Sequence, residues 1–155
     1  MKVKTVLILV LCIAIVACSQ TDKIPKTVQK AFQKLYPDVA EVKWDQENEE
    51  TFEASFQVDS VAISIVIDKT GKLLETETYL SAGALPDTVR AFVQINYPEC
   101  QISEAARIVD SEGVVTYEAE VGNDSTKVDL MFDVAGLPLQ KPAEAEEDAE
   151  GGENE

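Results

Sequence analysis

The chain has 155 residues, with 29 Asp and Glu against 13 Lys and Arg, a formal net charge of −16, and no histidine. Such a charge disfavours nucleic-acid phosphates and anionic lipid headgroups as partners of the molecule as a whole. The missing imidazole removes the commonest general base, the commonest zinc ligand and every Ser-His or Cys-His arrangement.

In chain order, Lys2 and Lys4 precede an apolar run from Val6 to Val16, about half the ~20 residues a membrane-spanning helix needs. The run ends in Ile15-Val16-Ala17-Cys18, which resembles the bacterial lipobox. The resemblance implies a signal peptide over 1–17, lipid attachment at Cys18 and a polar tether over 18–23. Ser19 after the cysteine, rather than Asp, implies the outer membrane over the inner one. Acyl chains contribute ~0.8 kcal/mol per buried methylene, so two or more make a lasting anchor. With Cys12 in the signal and Cys18 lipidated, Cys100 is the one cysteine left to the exported domain, so no internal disulfide and no thiolate metal site is expected. Cys100 reads as a small buried hydrophobe.

About 120 residues remain between the tether and the tail, enough for one domain with a core of its own. An internal repeat organises them, expected over 24–80 and 85–140. Ile24-Pro25-Lys26-Thr27-Val28 recurs as Leu85-Pro86-Asp87-Thr88-Val89, and Tyr36-Pro37 as Tyr97-Pro98, at an offset of 61 (86 − 25). From Asp45 the offset becomes 65: Asp45 matches Asp110, Glu53-Ala54 matches Glu118-Ala119, and Gly71 matches Gly136. The change marks a four-residue insertion near 101–107.

Each repeat reads as one helix followed by an antiparallel meander. Pro25 and Pro86 suit a first helical turn, and Pro37 and Pro98 end the helices. Val28, Ala31, Phe32 and Leu35 form an apolar stripe opposite Lys26, Lys30 and Lys34; Val89, Phe92 and Val93 form its counterpart. The period then changes to two. Phe52, Ala54, Phe56 and Val58 alternate with polar residues, as do Tyr117, Ala119 and Val121. Val61, Ile63, Ile65 and Ile67 follow, matched by Val128, Leu130 and Phe132. Asp59-Ser60 and Asp68-Lys69-Thr70-Gly71 read as hairpin turns. The class is α+β in two layers, with helices on one sheet face. Trp44 reads as core. Residues 141–155, acidic and without bulky apolar side chains, read as a disordered tail.

The series Pro-x-x-Val, Tyr-Pro, Val42-x-Trp44, Phe52-Glu53-Ala54-x-Phe56 and Asp68-x-x-Gly71-Lys72 resembles the PepSY-like domains named after β-lactamase inhibitor protein. These occur as exported lipoproteins of Bacteroidetes-type bacteria. The resemblance covers about Ile24 to Gln140 and implies two tandem helix-plus-sheet units presenting a sheet to a partner. It does not extend to any inhibitory loop.

No enzyme is expected and no cofactor. Asp68-Lys69-Thr70-Gly71 also spells the phosphorylation motif of P-type ion pumps, but the rest of that machinery is missing, and Glu49-Glu50 and Glu146-Glu147 have no apolar pocket around them. The expected binding face is the sheet surface away from the helices: Glu53, Ser55, Gln57 and Ser64 from the first repeat, Glu118, Glu120, Asp129 and Met131 from the second. With Ala62, Val66, Thr116 and Lys127, this surface counts four carboxylates against one lysine and no large aromatic. Ser60 and Ser125 lie in Asp-Ser-x sequences that resemble an O-glycosylation sequon of such bacteria. The expected role is a lipid-anchored envelope module that binds a protein, as an inhibitor or modulator of an envelope enzyme. The alternative is a lipoprotein capturing a small ligand or peptide between the repeats. The membrane is expected to be engaged through the lipid alone.

Overall fold

In the computed structural model, residues 24–123 and 127–139 are described. Cys18, Ser125 and the acidic tail lie outside them. Helix α1 (Lys26–Leu35) leads into strands β1 (Lys43–Gln46), β2 (Thr51–Val58), β3 (Val61–Asp68) and β4 (Leu73–Tyr79). After a short 3-10 turn, helix α2 (Asp87–Asn96) leads into β5 (Gln101–Asp110), β6 (Val115–Gly122) and β7 (Lys127–Asp133). All seven strands form one antiparallel sheet in sequence order, and the α+β tandem arrangement expected from the sequence is present.

The two meanders fuse because β5 is long. Its C-terminal half pairs with β4, Thr76 opposite Val109 and Tyr79 opposite Ala106, while the strand also pairs with β6 along most of its length. The equivalent β1 has four residues and ends the sheet. The insertion near 101–107 lengthens β5 at its N-terminal end, where it pairs with β6. At the far end, among the described residues, Pro138 forms a bridge with Phe132.

Both helices lie on one face, each over its own core. The first core is aromatic: Phe32 meets Trp44 and Phe56 edge-on at ring-centroid distances of 5.3 and 5.1 Å. The three matched positions of the second repeat are all valine, Val93, Val109 and Val121, of which Val93 and Val121 belong to the second core. Volume returns through Phe92 and Phe132, in edge contact at 5.4 Å, where the first repeat has Ala31 and Ile67. Close packing requires such compensation. Two members of the expected apolar sets are not core. Leu35, at the last turn of α1, is 46% exposed, and Val61, beside the Asp59-Ser60 turn, is 41% exposed. Cys100 is half-buried against the second core.

The Asp-x-x-Gly turns close by one mechanism. Asp68 Oδ1 accepts from the Thr70 and Lys72 N–H groups and from Thr70 Oγ1. Asp110 and Asp133 repeat the backbone pattern. Each glycine takes positive φ. Gly71 and Gly136 also lie beneath their helices. A Cβ on Gly136 would fall 1.9 Å from Thr88 Oγ1, and one on Gly71 3.3 Å from Thr27 Cγ2.

Candidate functional site

The sheet face away from the helices is uncovered among the described residues. By strand register it carries Glu53 and Ser55 from β2, Ser64 from β3, Glu75, Glu77 and Tyr79 from β4, and Glu104 from β5. Beyond these come Glu118 and Glu120 from β6 and Asp129 and Met131 from β7. Lys43 and Lys127 stand at its two ends. The expected residues share one face, but the face differs from the expectation in three ways. It carries at least seven carboxylates, because β4 and β5 add Glu75, Glu77 and Glu104. It has a large aromatic, Tyr79, 39% exposed. Ser64 is buried beneath the surface rather than displayed, with its hydroxyl donating to the Glu53 carboxylate.

A concavity of this face lies at the junction of the repeats. Glu77, Tyr79, Glu104, Glu118, Glu120 and Asp129 surround this concavity of about 300 Å³, floored by Ala105 and Ala106. Burial against β3 and β5 pushes the Glu77 carboxyl up to about 7, with Glu118, Glu75 and Glu53 adding repulsion. Glu118 is raised by burial first and by Asp129 next. The Tyr79 phenol is pushed up to about 12, by burial and then by Glu77. Like charges placed side by side across a sheet destabilise it, so this arrangement opposes folding. Glu120 is the exception. Lys127 Nζ at 2.7 Å and Ser103 Oγ at 2.5 Å donate to it and hold it below the ordinary carboxylate range.

The two halves differ at matched positions. In the first, the Ser64 hydroxyl satisfies Glu53; in the second, Asp129 stands where Ser64 does and repels Glu118. Ser55 is likewise matched by Glu120. The negative charge therefore concentrates on the second repeat and on β4. Gln57 is exposed and lies apart from this centre, beside a groove of about 790 Å³ along the β1–β2 edge. Ser60 is exposed at its hairpin tip with φ 68°. Among the described residues, no group of three or more His, Cys, Asp or Glu side chains is placed to hold a metal ion.

The concavity is open, acidic and shared by both repeats, which is the geometry of a recognition surface rather than a closed pocket. Solved structures with this architecture are known. A BLIP-like protein of Bacteroides fragilis is 28% identical, with a TM-score of 0.62, over 75% of this chain and 84% of that one. A DUF2874 family protein of Bacteroides ovatus is 26% identical, with a TM-score of 0.66, over 75% and 84%. By fold and sequence, this chain is similar to the DUF2874 and BLIP-like proteins of Bacteroides. A Bacteroides eggerthii protein whose description places it in the periplasm shares the fold at 18% identity and a TM-score of 0.68, over 75% and 86%. No protein-family model matches the sequence, and neither does any curated protein.

The missing contributors were present as a pattern. Leu73-Leu74-Glu75-Thr76-Glu77-Thr78-Tyr79 alternates as a strand does, with Glu75, Glu77 and Tyr79 in phase. Thr76 and Thr78 face inward and Leu73 does so only across a bulge, so an apolar signal for the strand was weak.

Proposed function

We propose that this chain is a non-catalytic protein-binding module of the bacterial envelope, of the DUF2874/BLIP-like kind, anchored by lipid at Cys18. The observation that carries the reading is the open acidic sheet face, centred on Glu77 and Glu118 and continuous across both repeats. Carboxylates crowded on a half-buried surface lower stability, and a partner offering basic groups relieves the repulsion on docking. The similarity to a BLIP-like protein supports a protein as that partner, and an envelope enzyme is the candidate class. Charge on such a face chiefly speeds encounter and selects partners. Capture of a small apolar ligand is disfavoured, since carboxylates line the central concavity and apolar walls are lacking.

The test is capture of partners from the native envelope by tagged wild-type protein and by the Glu118→Lys/Glu120→Lys variant. We expect the variant to keep its circular dichroism spectrum and to lose the partner, and wild-type capture to weaken as salt rises. Equal capture by both proteins would refute the assignment of the face.

A further inference from the structure

The net charge of −16 is not spread evenly. Lys26, Lys30 and Lys34 recur every four residues along the exposed side of α1, and the helix has no acidic residue. None of the three is in a salt bridge among the described residues. Lys26 moreover stands in the first turn, where the positive end of the helix dipole opposes a cation. The second repeat shows what that position otherwise takes. At the matched sites α2 has Asp87, Ala91 and Ile95, and Asp87 suits the dipole. The basic stripe belongs to the first repeat alone; the helix dipole opposes Lys26 at one end and favours Lys34 at the other.

The position of this helix gives the stripe a target. Ile24 is 4% exposed, packed into the first core, and its carbonyl accepts a hydrogen bond from Gln29 Nε2 at 2.9 Å. The chain therefore leaves the domain at the helix layer, on the opposite side of the sheet from the acidic face. From Cys18 to Ile24 is six residue steps (24 − 18), a reach of about 20 Å when fully extended. We infer that the Lys26–Lys30–Lys34 stripe lies against anionic phospholipid headgroups at the bilayer that holds the Cys18 lipid, fixing the domain with its acidic face turned away from the membrane. This rests on the anchoring reading above. A lysine near an anionic surface strengthens attachment about fivefold. Three together make the orientation strongly preferred while leaving the net-negative body repelled.

The experiment uses the mature lipidated chain in nonionic detergent, on vesicles of phosphatidylcholine, and on vesicles of phosphatidylcholine mixed with phosphatidylglycerol. Each lysine is acylated with a membrane-impermeant reagent and quantified by mass spectrometry. On the anionic vesicles, Lys26, Lys30 and Lys34 should label at least about fivefold more slowly than on neutral ones. Lys43 and Lys127 should be unchanged, and high salt should abolish the protection. Equal labelling on both vesicle types by a lipidated chain overturns the orientation alone. An unmodified Cys18 in the N-terminal peptide overturns the anchoring reading and the orientation with it. Protection already present in detergent, and lost when Glu144, Glu146, Glu147 and Glu150 are changed to Gln, overturns the inference by showing that the acidic C-terminal segment covers the stripe.

Discussion

Replacing Glu77 by Gln isolates the cost of the acidic face. In the folded protein this carboxyl ionises near pH 7, whereas in the unfolded chain it does so near its ordinary 4.5. Between those values the folded state holds a proton that the unfolded state releases, so stability falls as pH rises from about 4.5 to 7 and is level beyond. The gap corresponds to about 3 kcal/mol at most. Glu77 is half exposed, and solvent screening reduces this to about 1–2 kcal/mol. Glutamine mimics the neutral acid at all pH, so Glu77→Gln should be more stable than wild type by that amount at pH 8 and no different at pH 4. Urea unfolding of both proteins across the range measures it, and the difference removes contributions they share, including those of Asp68 and Glu120, whose lowered values act with the opposite sign. A stabilisation that is the same at pH 4 and pH 8 would refute the electrostatic argument and point to packing.

Gly136→Ala should cost about 3 kcal/mol, from left-handed backbone strain, the Thr88 clash and the lost Thr88–Ala135 hydrogen bond, and Gly71→Ala only about 1–2 kcal/mol. Adding Thr88→Ala should recover part of the first cost, and a double-mutant cycle with no coupling would show the contact to be unimportant. Phe52→Ala, at a site 3% exposed in the first core, should cost ~3–5 kcal/mol in denaturant unfolding.

How much of this was legible in the sequence depends on what wrote each feature. Helices, β2, β3, β6 and β7 were readable because a one-sided element must repeat its apolar residues at its own period, and Val28–Phe32 and Phe52–Ala54–Phe56 do so. The repeat then doubled each observation. The hairpin turns were readable because Asp and Gly supply an acceptor and a positive φ that other residues do not. Strand β4 was obscured because Thr76 and Thr78 face the helix layer without an apolar signature. Its absence hid Glu75, Glu77 and Tyr79, the centre of the site. Which strands join the two meanders was also beyond reach, since pairing of β4 with β5 depends on which strands meet in space. The insertion gave its position but not its consequence.

The two repeats agree where the fold needs agreement and part company where the surface is concerned. Gly71 and Gly136, Asp68 and Asp133, and Val28 and Val89 match because a turn or a helix contact admits little else. Phe32, Trp44 and Phe56 differ from Val93, Val109 and Val121, yet Phe92 and Phe132 restore the volume, so that divergence is internal to packing. The change from Ser55 to Glu120 is offset by Lys127 and Ser103, but no such compensation accompanies the change from Ser64 to Asp129, or that from Lys26, Lys30 and Lys34 to Asp87, Ala91 and Ile95. The first two raise negative charge on the open face, and the last confines positive charge to the helix beside the tether. Neither arrangement follows from the needs of folding, because burial and Asp129 oppose a charge on Glu118 and the helix dipole opposes one on Lys26. Charges segregated to opposite sides of one sheet, some of them held at a cost to stability, fit the module proposed above, with one side for a membrane and the other for a basic partner.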